Sequence, residues 1–351
     1  MSCRRGGRRW SATWAALDRS RGSRAAPARW VSFLLLGAGL AILVGFAATT
    51  NVRQIGEALR GIQGTLFGLA IAAVWLQVLV KAVRWRFMIG RLTDATISWR
   101  FGVISVLSGV AAGSITPGRS FELAKAVMLK GSYDIPLGVG TSAMLVERML
   151  DITFLVVTFL GFAAFVPTRV VMASRLLALL IAVLVGATAL VVAAPAQVQA
   201  WIGAVLRRLP LPPALRDRGL RLIETFFTSL LLLRGHRTLW LLLLATSGVT
   251  VLDIVRVITV FRAMAIPLAL ALVGFAYLGA AMLGMALMIP GGVGVTEVSM
   301  AGLIALLAPA TVAPDMARSA VLIDRFLSYY LMVVIGAGFL VAYHRLRHIF
   351  V

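Results

Sequence analysis

The chain has one cysteine, Cys3, and three histidines, His236, His344 and His348. A single thiol excludes a disulfide framework. The histidines stand at the edges of apolar runs with no cysteine or carboxylate at ligand spacing, so neither a metal site nor a cofactor is expected. Charge is scarce too: 13% of the residues are charged and only 13 are acidic. Soluble domains carry about 25% charged residues, which excludes that class.

Apolar residues fill the space, at 60% of the chain and a mean hydropathy of +0.96. The composition is that of an integral membrane protein with one membrane domain. Its 34 Lys and Arg give a net charge of +21, but they gather at the start and in the connectors. There they act as topology signals and contacts to anionic lipid, not as a nucleic-acid surface. Residues 1–29 hold eight Arg, one Asp and no periodic apolar face, which predicts a disordered basic cytoplasmic arm. An Arg-rich, acid-poor start also fits a transit peptide. The following run, WVSFLLLGAGLAILVGFAA, exceeds a usual signal segment and is expected to be a retained first helix.

A spanning helix needs about 20 apolar residues. Candidates are 31–48, 65–83, 101–117, 138–166, 170–194, 238–261, 268–289, 293–308 and 318–343. Two of these, 101–117 and 293–308, are short and adjoin a Pro-Gly pair. The connector 195–237 carries seven Arg and a proline cluster, and its part 214–233 is expected to be a cytoplasmic surface helix. Residues 345–351 form a short cytoplasmic tail.

An internal repeat runs through this pattern. Arg84 precedes Pro117-Gly118 by 33 residues, Glu122 follows, and Glu147-Arg148 comes 30 after the proline. Arg256 precedes Pro290-Gly291 by 34, Glu297 follows, and Asp324-Arg325 comes 34 after. Two related halves, about 65–194 and 238–343, are therefore expected within a membrane domain of 30–344. With the Arg-rich start inside, helix 65–83 returns to a basic inner loop, KAVRWRFMIGR, and the Arg-rich 195–237 and the C-terminal HRLRHIFV also fall inside. The two halves then come out inverted. The expected fold is all-α: about six full crossings plus two re-entrant hairpins, or eight helices if the hairpin arms cross fully.

Proline removes a backbone donor, and in lipid such a break is tolerated only against protein or water. Both Pro-Gly sites should line an interior cavity, where half-helix N-termini favour anionic groups. A charged side chain at the bilayer centre costs about 2.5–3.5 kcal/mol on insertion scales. Arg119, Glu122, Lys125, Glu147, Arg148, Asp151, Asp253, Arg256, Glu297, Asp324 and Arg325 should thus face inward and pair. Glu147 and Asp151 share a helix face, and Asp253 and Arg256 stand three apart, at pairing distance. Arg84, Arg119, Arg148, Arg256 and Arg325 suit a lipid phosphate; ion pairs that only hold the hairpins in place are the alternative. Glu122 and Glu297 have the chemistry of an acid/base pair, yet no nucleophile motif or nucleotide loop accompanies them. The GGVG at Gly291, Gly292 and Gly294 lacks the Lys-Ser/Thr of a phosphate loop.

TPGRSFELAKAVML, VERMLDITFLVV, IPGGVGVTEVSMAGLIALL and DRFLSYYLMVVIG together resemble the lysylphosphatidylglycerol synthase transmembrane region, a flippase-like family of membrane proteins. Relatives tend to read Pro-Gly-Arg-x-Gly-Glu in the first hairpin, where this chain has Phe121 at the second glycine. The resemblance implies movement of a phospholipid or other polar-headed lipid between leaflets of the cell inner membrane, with both termini cytoplasmic. It also makes a lipid-biosynthesis enzyme a possible partner. The family's aminoacyl transferase domain is not expected here, so the protein is not expected to be an enzyme. A non-catalytic subunit docking through the basic arm and 195–237 is the rival reading, and an enzyme of polyprenyl-linked sugars a more distant one.

Overall fold

The structure, a computed structural model, describes residues 26–49, 60–115, 123–166, 193–210, 212–233 and 235–346, with residues 56, 186, 190 and 191. Among them there is no strand. The helices are α1 (Ala26–Ala48), α2 (Gly64–Thr93), α3 (Trp99–Gly113), α4 (Leu123–Tyr133), α5 (Leu137–Ala163), α6 (Pro195–Arg208), α7 (Pro213–Leu233) and α8 (His236–Ala263). After these come α9 (Leu270–Ala286), a 3-10 turn at Pro290–Gly292, α10 (Val295–Leu307), α11 (Pro314–Arg325), a π-helical turn at Phe326–Tyr330, and α12 (Leu331–Leu346). The protein is an all-α polytopic membrane protein.

Four segments among the described residues are long and apolar enough to cross a membrane: Gly64–Thr93, His236–Ala263, Pro290–Leu307 and Pro314–Tyr343. The third includes the broken Pro290–Gly292 turn, and its continuous helix has only 13 residues. At 1.5 Å per residue, the hairpin arms α3, α4, α9 and α10 all fall short of the hydrocarbon core of about 30 Å. α5 has the length of a span, with 27 residues, but carries Glu147, Arg148 and Asp151 near its middle. Candidate segment 170–194 lies almost wholly outside the described residues.

Equivalent landmarks occupy equivalent places. Arg84 lies 20 residues beyond the start of α2 and Arg256 20 beyond the start of α8; Glu147 lies 10 beyond the start of α5 and Asp324 10 beyond the start of α11. Helices α2 and α8 form the main seam between the halves. Along it the Gln63 N–H donates to the Ala263 carbonyl, Gln77 Nε2 to the Val249 carbonyl, Arg84 to Thr246 and Arg91 to Thr238. Residue numbers rise on one helix as they fall on the other, so the equivalent helices are antiparallel. The rest of the packing is reciprocal: α5 of the first half lies on α9 of the second, and α12 of the second lies on α3 of the first. This is the arrangement of an inverted repeat.

Two local expectations change. The segment KAVRWRFMIGR is no loop, because α2 runs unbroken to Thr93 and ends with Asp94 in the left-handed region at φ 56°. Packing against α8 and α5 buries Arg84 and Trp85, which keeps this stretch inside the bundle. The connector 195–237 is two helices, broken in the LPLPP stretch. The second is no simple surface helix, since Phe227, Leu230 and Leu233 are buried in the same core as Met128, Leu129 and Val146.

Small residues set the closest approaches, as membrane packing favours. A Cβ on Gly336 of α12 would overlap the Leu107 carbonyl of α3, whereas one on Gly338 would meet nothing within 4 Å. Gly336→Leu is therefore expected to lower the melting temperature and the monodisperse yield in detergent, with Gly338→Leu close to wild type. A fluorescence size-exclusion melt compares them directly.

Candidate functional site

The first half brings one buried ionic cluster together from α2, α4 and α5. Arg84 Nη2 donates to Glu147 Oε1 at 2.8 Å and Nη1 to Asp151 Oδ1 at 2.6 Å. Nη1 also donates to Thr246 Oγ1 of α8 at 2.8 Å. Lys125 Nζ takes the other oxygen of Glu147 at 2.7 Å and lies 4.8 Å from the Trp85 ring centroid. Arg84, Lys125 and Glu147 are all buried. Each charge thus gains partners for its desolvation, the condition under which ions persist in a low-dielectric interior.

The second half repeats the core of this pattern with a different second acid. Arg256 Nη1 pairs with Asp324 on α11, as Arg84 pairs with Glu147 on α5. Its second carboxylate, Asp253 at 3.3 Å, comes from its own helix, where that of Arg84 is Asp151 of α5. Asp324 is wholly buried, and the Arg256 guanidinium lies 5.2 Å from the Tyr277 ring centroid.

Beside this cluster Arg325 fixes the hairpin tip. Its Nε donates to Glu297 Oε1 at 2.6 Å and its Nη2 to the Gly291 carbonyl at 3.2 Å. Tyr330 Oη donates to the same Glu297 oxygen at 2.8 Å. The tip is built by extended backbone at Ile289 before Pro290, as a pre-proline residue prefers, and by a left-handed Gly291 at φ 64°. Glu297 sits in the first turn of α10, where a carboxylate complements the helix N-terminus. The π-helical turn directly after Arg325 carries both Tyr329 and Tyr330. Such turns recur at functional sites because the added residue reorients the side chains that follow. Arg325 lies 11 residues beyond the start of the Pro314–Tyr343 run, well inside it.

A cavity of about 430 Å³ lies between the halves. Its charged lining comes from both: Lys81, Lys125, Glu147, Arg148 and Asp151 on one side, Asp253 and Arg325 on the other. Gly291, Gly292, Thr296 and Tyr277 complete the polar wall. Cations thus slightly outnumber acids around a space with an apolar remainder, a volume within the range of small-molecule sites of about 300–1,000 Å³.

The sequence-predicted residues fall into three groups. Lys125, Glu147, Arg148, Asp151, Gly291, Gly292 and Arg325 line the cavity. Arg84, Arg256, Glu297, Asp324, Pro290 and Gly294 are buried behind it and hold the wall. Pro117, Gly118, Arg119 and Glu122, with Phe121, lie outside the described residues. Sequence reasoning missed Lys81, Thr250 and Tyr277. Lys81 was legible as a charge one helical turn before Arg84, but it was absorbed into the supposed basic loop. Tyr277 offered only a hydroxyl within an apolar run. Among the described residues no group of His, Cys, Asp or Glu is placed to hold a metal ion.

The family described as "Lysylphosphatidylglycerol synthase TM region" matches residues 29–336. A relative described as "UPF0104 membrane protein", from Methanothermobacter thermautotrophicus, is 27% identical over 272 residues, which cover 74% of this chain and 78% of the relative.

Proposed function

The chain belongs to the lysylphosphatidylglycerol synthase TM region family, and from that membership we propose that it moves a polar-headed lipid between the leaflets of the cytoplasmic membrane. The observation that carries the proposal is the charged cavity shared by two antiparallel halves. A lipid head loses its hydration on the way across, and Lys125, Arg148 and Arg325 offer its phosphate charge-assisted contacts in place of water. Glu147, Asp151 and Asp253 keep the site close to neutral, so the head is held without being trapped. Lys125 and Arg325 are paired as Arg84 and Arg256 are, but only the first two line the cavity; Arg84 and Arg256 serve as scaffold. Inverted halves around a midplane site fit alternating access, in which one half rocks against the other. In this reading the protein is a transporter and no enzyme, with both termini on the cytoplasmic side.

Lys125→Met keeps the bond of Glu147 to Arg84 but removes one partner of a second buried pair, so a thermal melt accompanies the transport assay and separates the two effects. Losing one charge-assisted contact costs about 1.5–3 kcal/mol, or roughly tenfold or more in affinity. The variant is expected to fold and to move fluorescent phosphatidylglycerol across proteoliposomes at least about tenfold more slowly at subsaturating lipid. Unchanged transport together with lowered stability would leave the ion pair a purely structural role and contradict the proposal.

A further inference from the structure

A second concavity, of about 480 Å³, runs beside the first between α5 and α8. On α5 it is lined by Phe154, Thr158 and Phe162, four residues apart and hence on one helix face. On α8 it begins at the polar pair Ser247 and Thr250, follows Val251, Ile254, Val255 and Ile258 and reaches the exposed Arg262. Thr250 lines both spaces. Along both helices the lining changes from polar to apolar as residue numbers rise: Glu147 and Asp151 give way to Thr158 and Phe162, and Asp253 to Ile258. The groove is therefore a continuation of the polar cavity, open to lipid along its side.

Two quantities identify its occupant. From Thr250 to Arg262 the helix rises about 18 Å, close to one leaflet of a hydrocarbon core about 30 Å thick. The one charge on this apolar lining stands at the far end, in the last turn of α8. An arginine there reaches the head-group level while its stem stays in hydrocarbon. We infer that the groove docks one glycerophospholipid of the adjoining leaflet, with its phosphate on Arg262 and an acyl chain lying along α5 and α8. This rests on the transport reading above and adds to it the place where the lipid waits. From Arg262 the head would slide down the groove and enter the cavity at Thr250, its chains remaining in the membrane.

The test uses the full chain in nanodiscs containing phosphatidylglycerol with a photoactivatable acyl chain, with crosslinks mapped by mass spectrometry. Crosslinks are expected to concentrate on Phe154, Thr158, Val251 and Val255. Arg262→Gln is expected to lower them about tenfold, the effect of losing one charge-assisted contact. Thr158→Trp, which fills the groove and removes no charge, is expected to lower them comparably. Crosslinks spread evenly over lipid-facing side chains such as Trp240 and Leu244, or unaltered in both variants, would overturn the docking site and identify the label as bulk lipid. Arg262 lies outside the cavity, so the two readings fail separately. Groove labelling that depends on Arg262 in a protein that moves no lipid would sink transport alone; transport with no groove labelling would sink the docking site alone.

Discussion

Arg84→Met is expected to remove most of the folded protein from the membrane, well beyond any effect on transport. Arg84 is about 1% exposed and bridges α2 to α5 and α8 through Glu147, Asp151 and Thr246. Methionine fills a similar volume but leaves Asp151 without the guanidinium and Glu147 with Lys125 alone. Removing one partner of a buried pair typically costs about 3–5 kcal/mol, a large share of the about 5–15 kcal/mol that holds a domain together. The seam between the halves is weakened with it, since Arg84 is also one of the polar ties between α2 and α8. Arg318→Ala is the matched control. Its pair with Asp315 is partly exposed, and such pairs contribute about 0–1 kcal/mol. Melting temperature and monodisperse yield in detergent should fall sharply for Arg84→Met and stay near wild type for Arg318→Ala.

The second large effect is expected from one methyl group. Gly291→Ala places a Cβ on a residue at φ 64°, a conformation that costs L-residues about 1–2 kcal/mol, and drives it into the Tyr329 hydroxyl. Tyr329 has little room to yield, since its ring lies against the Arg325 guanidinium at 4.5 Å and the Tyr330 ring at 5.4 Å. Arg325 in turn holds Gly291 through its carbonyl. The substitution therefore strains the tip and the Arg325–Glu297 pair together. Transport is expected to be abolished while the α2–α8 seam, whose polar ties do not involve the tip, still gives a folded, less stable protein. Lipid movement together with a thermal melt of the same sample separates this outcome from the collapse expected of Arg84→Met.

Much of this was legible in the residues themselves. Charges are so costly in an apolar chain that Glu147, Arg256, Glu297, Asp324 and Arg325 had to be inside and paired. The duplicated Pro-Gly and acid landmarks also predicted which residues are equivalent. The pairing partners were less accessible. The spacing of three marked Asp253 as a partner of Arg256 on its own helix, but nothing in it shows that Arg84 takes its second acid from α5, because this depends on how each helix is rotated. The basic segment after Val83 misled because an arginine at a membrane boundary and one sealed between helices look alike in sequence. The division between cavity wall and scaffold also needed three dimensions: Arg148 and Arg256 are equally plausible phosphate ligands as sequence, and only Arg148 lines the space.

The most direct measurement reconstitutes the wild-type chain in liposomes carrying head-group-labelled phosphatidylglycerol and follows loss of inner-leaflet protection against a membrane-impermeant quencher. Label in protein-containing vesicles should become accessible much faster than in empty vesicles, with Lys125→Met falling between the two. Rates equal to those of empty vesicles, across several head groups and with or without a proton gradient, would contradict lipid translocation through the shared cavity.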